Sequence, residues 1–181
     1  GRDLIFPHHE NEIAQSESAN QAPYATCWMH SGLLTINGQK MSKSLGNHIP
    51  ISNFIEKWDP EVLRLSYLSN HYSSNVDFSD RLFQVSRRRL YYYYQALNLL
   101  DKKLSTEDKQ NIKPEAAVKE IEDFKERFHK SMCDDFNTAL AIGEFNKFFH
   151  FTYKNLSTVN LSEALALALS TCIREIGEVF K

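Results

Sequence analysis

Residues 33–47, Leu33-Leu34-Thr35-Ile36-Asn37-Gly38-Gln39-Lys40-Met41-Ser42-Lys43-Ser44-Leu45-Gly46-Asn47, change character twice. A short β-prone run, Leu33 to Ile36, leads into Asn37-Gly38. That dipeptide accepts positive φ at both central positions of a tight turn and is the strongest short hairpin signal. The chain returns through Gln39-Lys40-Met41 and opens into a loop over 40–47, with two lysines three apart among small hydroxyl residues. Sheet-forming sequence on one side and a polar loop on the other read as a short hairpin followed by an irregular loop.

Upstream, Pro7 suits a first helical position, and HHENEIAQSESAN (8–20) reads as one short, polar helix, either on the surface or lining a site. Thr26 to His30 reads as a further β-prone stretch. Downstream, Ile51 to Lys57 reads as a helix, and Asp59 as the N-cap of the next, with Pro60 at its first position. From residue 79 the pattern is helical throughout. Ser79 can cap a helix carrying Phe83, Leu90, Tyr94, Leu97 and Leu104. A second, after Pro114, carries Val118, Ile121, Phe124, Phe128 and Met132. A third, from near Asn137, carries Ile142, Phe145, Phe149, Tyr153 and Leu156, and a fourth, from about Ser162, carries Leu165, Leu169, Cys172, Ile173 and Ile176. Four amphipathic helices with short connections pack as a bundle, and STEDKQNIK (105–113) is the one linker-like stretch.

The 181 residues carry 21 basic and 23 acidic side chains, a net charge of −2, with 42% apolar residues. This balance belongs to ordinary globular proteins and excludes a mainly disordered or fibrous chain. No apolar run approaches the ~18 residues that cross a bilayer, and no signal-peptide layout opens the chain. Cys27, Cys133 and Cys172 are odd in number and widely spaced, which predicts reduced thiols rather than a disulfide framework. The chain starts at Gly1 without an initiator Met, so a piece of a longer protein is expected.

Three constellations could carry chemistry. His8 and Glu12, four apart, project from one helical face and could share a zinc ion; His9 and Glu12 compete for the role, and a solvated His–Glu pair fits the spacing equally. Lys40 and Lys43 could surround a polyphosphate, helped by backbone N–H groups from Ser44 to Gly46; an exposed basic turn is the plain alternative. SRRRLYYYY (86–94) gives a local excess of positive charge that could meet a nucleic-acid backbone. Three consecutive arginines cannot all face one ligand, however, and arginine stems also cover apolar surface. Replacing Arg88 or Arg89 by alanine is accordingly expected to change RNA affinity less than tenfold.

The string KMSKSLGN resembles the KMSKS loop of class I aminoacyl-tRNA synthetases. Together with DLIFPHHENEIAQSES and WMHSG it closely resembles the cysteinyl-tRNA synthetase family. DPEVLRLSYLSNHY is similar to that family's stem-contact segment, and CDDFNTALAI to the start of a helix in its DALR-type bundle. The resemblance implies residues 1–47 as the C-terminal part of a Rossmann-type catalytic domain, an α/β remnant. It implies 48–78 as a mostly α stem-contact segment and 79–181 as an all-α DALR-like bundle. It implies ATP-dependent ligation of cysteine to tRNA(Cys) through a cysteinyl adenylate, with Mg²⁺ accompanying ATP. Lys43 would bind ATP and stabilise the departing pyrophosphate, with Lys40 assisting, on a loop that closes over ATP and reopens. His8 and Glu12 would be two of four zinc ligands, the zinc holding the cysteine thiolate and rejecting serine.

The HIGH motif and the two zinc cysteines of the family do not appear in these residues, so both are expected outside the chain. The isolated chain is expected neither to bind zinc tightly nor to form the adenylate. A full-length enzyme would be a cytoplasmic monomer without membrane attachment. Two other readings stay open: a paralogous ligase that places cysteine on an amino sugar, and a non-catalytic helical module that binds RNA or protein.

Overall fold

The computed structural model describes residues 1–104, 115–158 and 163–179. The linker expected at 105–113, and the Pro114 and Ser162 helix starts, lie outside them.

The first part is small and α/β. A wide helical turn at Ile5–His9, containing a cis Phe6–Pro7 bond, runs into α1 (Glu10–Asn20). The regular helix therefore begins later than the sequence suggests. The hairpin forms as read: β1 (Leu34–Ile36) pairs antiparallel with β2 (Gln39–Lys40), and Asn37 and Gly38 both take positive φ between them. A third strand, β3 (Val76–Asp77), lies parallel to β1 on its other side, giving the order β2-β1-β3. Thr26 to His30 is not a strand. It pairs with none of the three strands, and β-propensity without a paired neighbour makes no sheet.

Two helices follow the hairpin. α2 (Ile51–Ile55) is shorter than the expected 51–57. α3 (Pro60–Leu68) starts as read: Asp59 Oδ1 accepts the Glu61 N–H at 2.8 Å and Pro60 fills the first position. Phe54, Val62, Val76, Phe78 and Phe83 form a compact core under the sheet.

The rest is the bundle of α4 (Asp80–Leu104), α5 (Glu115–Cys133), α6 (Thr138–Thr158) and α7 (Glu163–Val179). Its core is aromatic. Phe124 and Phe148 are fully buried and stack at 4.3 Å between ring centroids, and Tyr93, Phe145 and Phe149 continue the cluster. Burial pushes the Tyr93 phenol up to about 12, and its hydroxyl donates to Asn146 Oδ1. Tyr94, Val118 and Tyr153, expected in the core, are instead exposed. Tyr94 lies at the margin of its helix's apolar arc, where its hydroxyl donates to Glu61 Oε2 of α3 at 2.7 Å. The side chains of Leu104, Leu156 and Leu165 lie outside the described residues.

The two parts are joined twice. Leu65 of α3 enters the bundle core, and Ser66 Oγ meets Ser86 Oγ of α4 at 2.9 Å in a buried contact. At the α5–α6 turn, Asp135 and Phe136 both adopt left-handed backbone. There the Asp135 carboxylate accepts the Tyr72 hydroxyl (2.8 Å), its carbonyl meets His71 Nε2 (3.0 Å), and Thr138 Oγ1 donates to the Asn70 carbonyl (3.3 Å).

The free thiols are not equivalent. Cys27 and Cys133 are exposed, whereas Cys172 is buried and its thiol is pushed up to about 11. Thiolate is the reactive form. An aromatic disulfide reagent at pH 8 is therefore expected to label two thiols quickly and the third only on unfolding, as read by mass spectrometry; rapid labelling of Cys172 would contradict the buried placement.

Candidate active site

The site is built where the turn before α1, the hairpin and the segment after α3 meet. Arg2 ties the first turn down: its N–H donates to the Ser31 carbonyl (2.9 Å) and its guanidinium to the Ser73 carbonyl (3.1 Å). Gly32 donates to the Tyr72 carbonyl at 2.8 Å, and a Cβ there would stand 2.0 Å from the Ser74 carbonyl oxygen. Only glycine fits between these two strands of backbone. Asp77 of β3 locks the hairpin, accepting from the Gly38 N–H (2.9 Å) and the Thr35 hydroxyl (2.8 Å). Those bonds favour the charged carboxylate and hold it below its usual range, the Gly38 bond most.

Loop 40–47 is braced at its base. Asn47 Oδ1 accepts the Ser42 N–H (2.8 Å), and its Nδ2 donates to the Lys40 carbonyl (3.1 Å). The tip is a turn: Gly46, at positive φ, donates to the Lys43 carbonyl (3.2 Å), and Ser42 Oγ meets Ser44 Oγ (3.2 Å). Beneath the descending limb lies a hollow of about 430 Å³, lined among others by Met41, His48, Pro50, Phe54 and Tyr67.

The two lysines differ. Lys40 Nζ donates to Asp3 Oδ2 at 2.7 Å, tying the hairpin to the first turn and holding the Asp3 carboxyl below its ordinary value. Lys43 is exposed at the tip and makes no ion pair among the described residues. Its ammonium is available to an anion without first breaking a bond.

His8 Nε2 and Glu12 Oε1 stand 3.4 Å apart with both side chains half-exposed. Two ligand atoms of one tetrahedral zinc, each about 2.1 Å from the metal, lie about 3.4 Å apart. The donor types and their separation therefore fit two positions of such a shell. Among the described residues no group of three or more His, Cys, Asp or Glu side chains could hold a metal. His9, the competing partner in the sequence, turns elsewhere: its Nδ1 lies 2.9 Å from His30 Nε2, and Trp28 stacks on His30 at 5.8 Å.

Sequence reasoning missed the Asp3–Lys40 pair, the His9–His30 contact and the Asp77 clamp. All three span more than 20 residues of chain; the sequence points to Lys40 and His9 for other roles and pairs neither with the partner it meets.

Comparison with known proteins agrees with this arrangement. Residues 1–88 match the family model of the class I (C) tRNA synthetase catalytic domain, and 127–181 match the DALR domain. The fold is that of a class I aminoacyl-tRNA synthetase: the C-terminal part of its catalytic domain followed by a DALR helical domain. A LeuRS of Agrobacterium radiobacter K84, solved in a ternary complex with tRNA and LeuAMS, superposes with a TM-score of 0.72 at 18% identity, over 96% of this chain and 24% of its own.

Among relatives, the cysteine–tRNA ligase of Geobacter metallireducens is 48% identical over 146 residues, 79% of this chain and 30% of that protein. That of Geobacter sulfurreducens is 40% identical over 181 residues, 99% of this chain and 37% of that protein. The chain belongs to the cysteine–tRNA ligase family and spans about a third of the length of these relatives.

Proposed function

We propose that the protein to which these residues belong charges tRNA(Cys) with cysteine, using ATP and Mg²⁺ through a cysteinyl adenylate. The observation that carries this reading is the Lys43 ammonium, in no ion pair among the described residues, on a braced, hydroxyl-rich loop within the segment matching the class I (C) catalytic domain. In the reaction Lys43 would bind the outer phosphates of ATP and stabilise charge gathering on the pyrophosphate as it leaves. Lys40, held by Asp3, would position the loop and add a second, weaker positive field.

His8 and Glu12 would hold zinc together with two ligands from elsewhere in the protein. When bound, that ion polarises and holds a thiolate, which a serine hydroxyl cannot replace. Glu12 and His8 are oriented for this by one helical turn. Residues 48–78 would meet the acceptor end of the tRNA and 79–181 would support it as the bundle, in a cytoplasmic monomer.

The test is a chimaera in which residues 1–181 replace the matching stretch of the Geobacter sulfurreducens ligase. Cysteine-dependent charging of tRNA, with one zinc per chain lost on His8→Ala, is the expected result. Ligation to an amino sugar with no tRNA charging would assign the paralogous reaction instead, and no cysteine activation of either kind would reject the reading. The 181-residue chain alone is expected to show no cysteine-dependent pyrophosphate exchange.

A further inference from the structure

Asn37-Gly38 is the one Asn-Gly pair in the sequence, and it makes the turn between β1 and β2. Both residues sit at positive φ, 53° and 75°, where asparagine and glycine are the residues that fit. The pair that suits the turn is also chemically the weakest, because glycine has no Cβ to keep its nitrogen away from the preceding carboxamide. Once that nitrogen gives up its proton it attacks the asparagine Cγ. A new C–N bond closes a five-membered imide, the old C–N bond breaks, and the amide nitrogen leaves as ammonia with the proton the backbone lost. Water then opens the imide at either carbonyl and leaves aspartate or isoaspartate.

No bulk covers this turn. Asn37 is exposed, its carboxamide makes no hydrogen bond among the described residues, and a Cβ on Gly38 would meet nothing within 4 Å. One bond stands in the way. The Gly38 N–H donates to Asp77 Oδ1 at 2.9 Å, and the Thr35 hydroxyl fixes the same carboxylate oxygen at 2.8 Å. Attack requires the Gly38 nitrogen to lose its proton and turn toward Cγ of Asn37. The carboxylate opposes both, since its charge disfavours an amide anion and its bond points the N–H at β3. The Asp77 carboxyl, held below its ordinary range chiefly by that same bond, is a poor base and does not take the proton itself.

We propose that Asn37 is a deamidation site kept latent by Asp77, and that its conversion unseats the lysine-bearing loop that follows β2. The second part follows from register: Ile36 pairs with Gln39 and Thr35 with Lys40, so the turn has no slack. An isoaspartyl product adds a carbon to the backbone inside it. Either product also sets a new carboxylate on the residue adjoining the Gly38–Asp77 bond, where like charges repel. Lys40 meets the shift first, with its ammonium on Asp3 and its carbonyl on the Asn47 amide, and Lys43 lies on the same loop. This chemistry belongs to the turn and stands whether or not the function proposed above does.

The experiment incubates the full-length protein carrying these residues at mildly alkaline pH, folded and in guanidinium chloride, and follows conversion at Asn37 by peptide mass spectrometry. Folded protein is expected to convert at least about tenfold more slowly than unfolded protein, the worth of one hydrogen bond to a charged group. Folded Asp77→Ala should convert about tenfold or more faster than the unaltered protein. Asp77→Asn keeps an acceptor without the charge and should fall between the two, an ordering that holds even if Asp77→Ala loosens the hairpin. Thr35→Val removes the other bond to Asp77 but leaves Gly38 its acceptor, so its rate should stay within about threefold of the unaltered protein. The converted fraction, separated by its extra negative charge, is expected to be cut by trypsin after Lys40 and Lys43 sooner than the unconverted one. Equal rates in folded and unfolded protein, or no acceleration by Asp77→Ala, would overturn the shield. Thr35→Val as fast as Asp77→Ala would reduce Asp77 to a brace of the hairpin and overturn it too. Equal trypsin cleavage of the two fractions would overturn the link to the loop.

Discussion

Lys43→Ala, placed in the chimaera, is expected to lower cysteine-dependent pyrophosphate exchange by about 10²–10³-fold, the usual cost of removing one preorganised charge donor from a transition state. The loss should fall on the rate of exchange rather than on the KM for cysteine, because the role proposed for Lys43 is toward the phosphates of ATP. Lys40→Ala is expected to cost less in exchange and more in stability, since the Lys40 ammonium already neutralises Asp3. Asp3→Asn separates the two roles: it frees Lys40 without removing its charge, so activity should persist while the hairpin loosens. A Lys43→Ala variant with normal exchange would show that the loop is not the phosphate site. A Lys40→Ala variant more damaged than Lys43→Ala would exchange the roles of the two lysines.

The largest stability effect is expected at Phe124. Its ring stacks on Phe148 at 4.3 Å, both are fully buried, and Phe128 and Phe145 close the sides. Phe124→Ala leaves a cavity walled by rings that cannot collapse without leaving their rotamers, so about 3–5 kcal/mol should be lost. In a chain of this size that corresponds to a melting temperature lower by about 6–20 °C. Phe124→Leu should lose less than half as much, because most of the volume is kept. Urea unfolding followed by far-ultraviolet circular dichroism reads both. A loss below about 1 kcal/mol for Phe124→Ala would mean that α5 packs loosely on α6, since well-packed cores do not absorb such a cavity.

What the sequence made legible is what short-range physics controls. Asn37-Gly38 made its turn, Asp59-Pro60 started its helix, and Asn137 caps α6 with its side chain on the Leu140 N–H at 3.0 Å. The bundle followed from apolar residues recurring at helical spacing. Strand β3 was invisible because two residues carry no period, and it exists only because β1 offers it an edge. Tyr94 misled because an aromatic ring at the margin of an apolar arc satisfies the pattern whichever way it turns; a carboxylate on α3 decided it. At the site, the His8–Glu12 spacing was readable, being one turn of helix. The Asp3–Lys40 bond was not, because 37 residues of chain separate partners that only the folded hairpin brings together.

The turn between α5 and α6 sets a rule about length rather than about side chains. Asp135 and Phe136 spend two consecutive residues in left-handed backbone, and from that kink Asp135 reaches Tyr72 and His71 while α6 sets off into the core. One residue inserted or deleted between Cys133 and Thr138 would rotate α6 by about 100° relative to that anchor. Phe145, Phe148 and Phe149 would then swing out of the core together, or Asp135 would swing away from Tyr72. Substitutions at the turn can be absorbed one contact at a time, whereas a change in residue count forces a choice between an intact bundle and an intact joint to the catalytic segment. Reading-frame-preserving insertions and deletions should therefore be far less tolerated here than single replacements at the same positions.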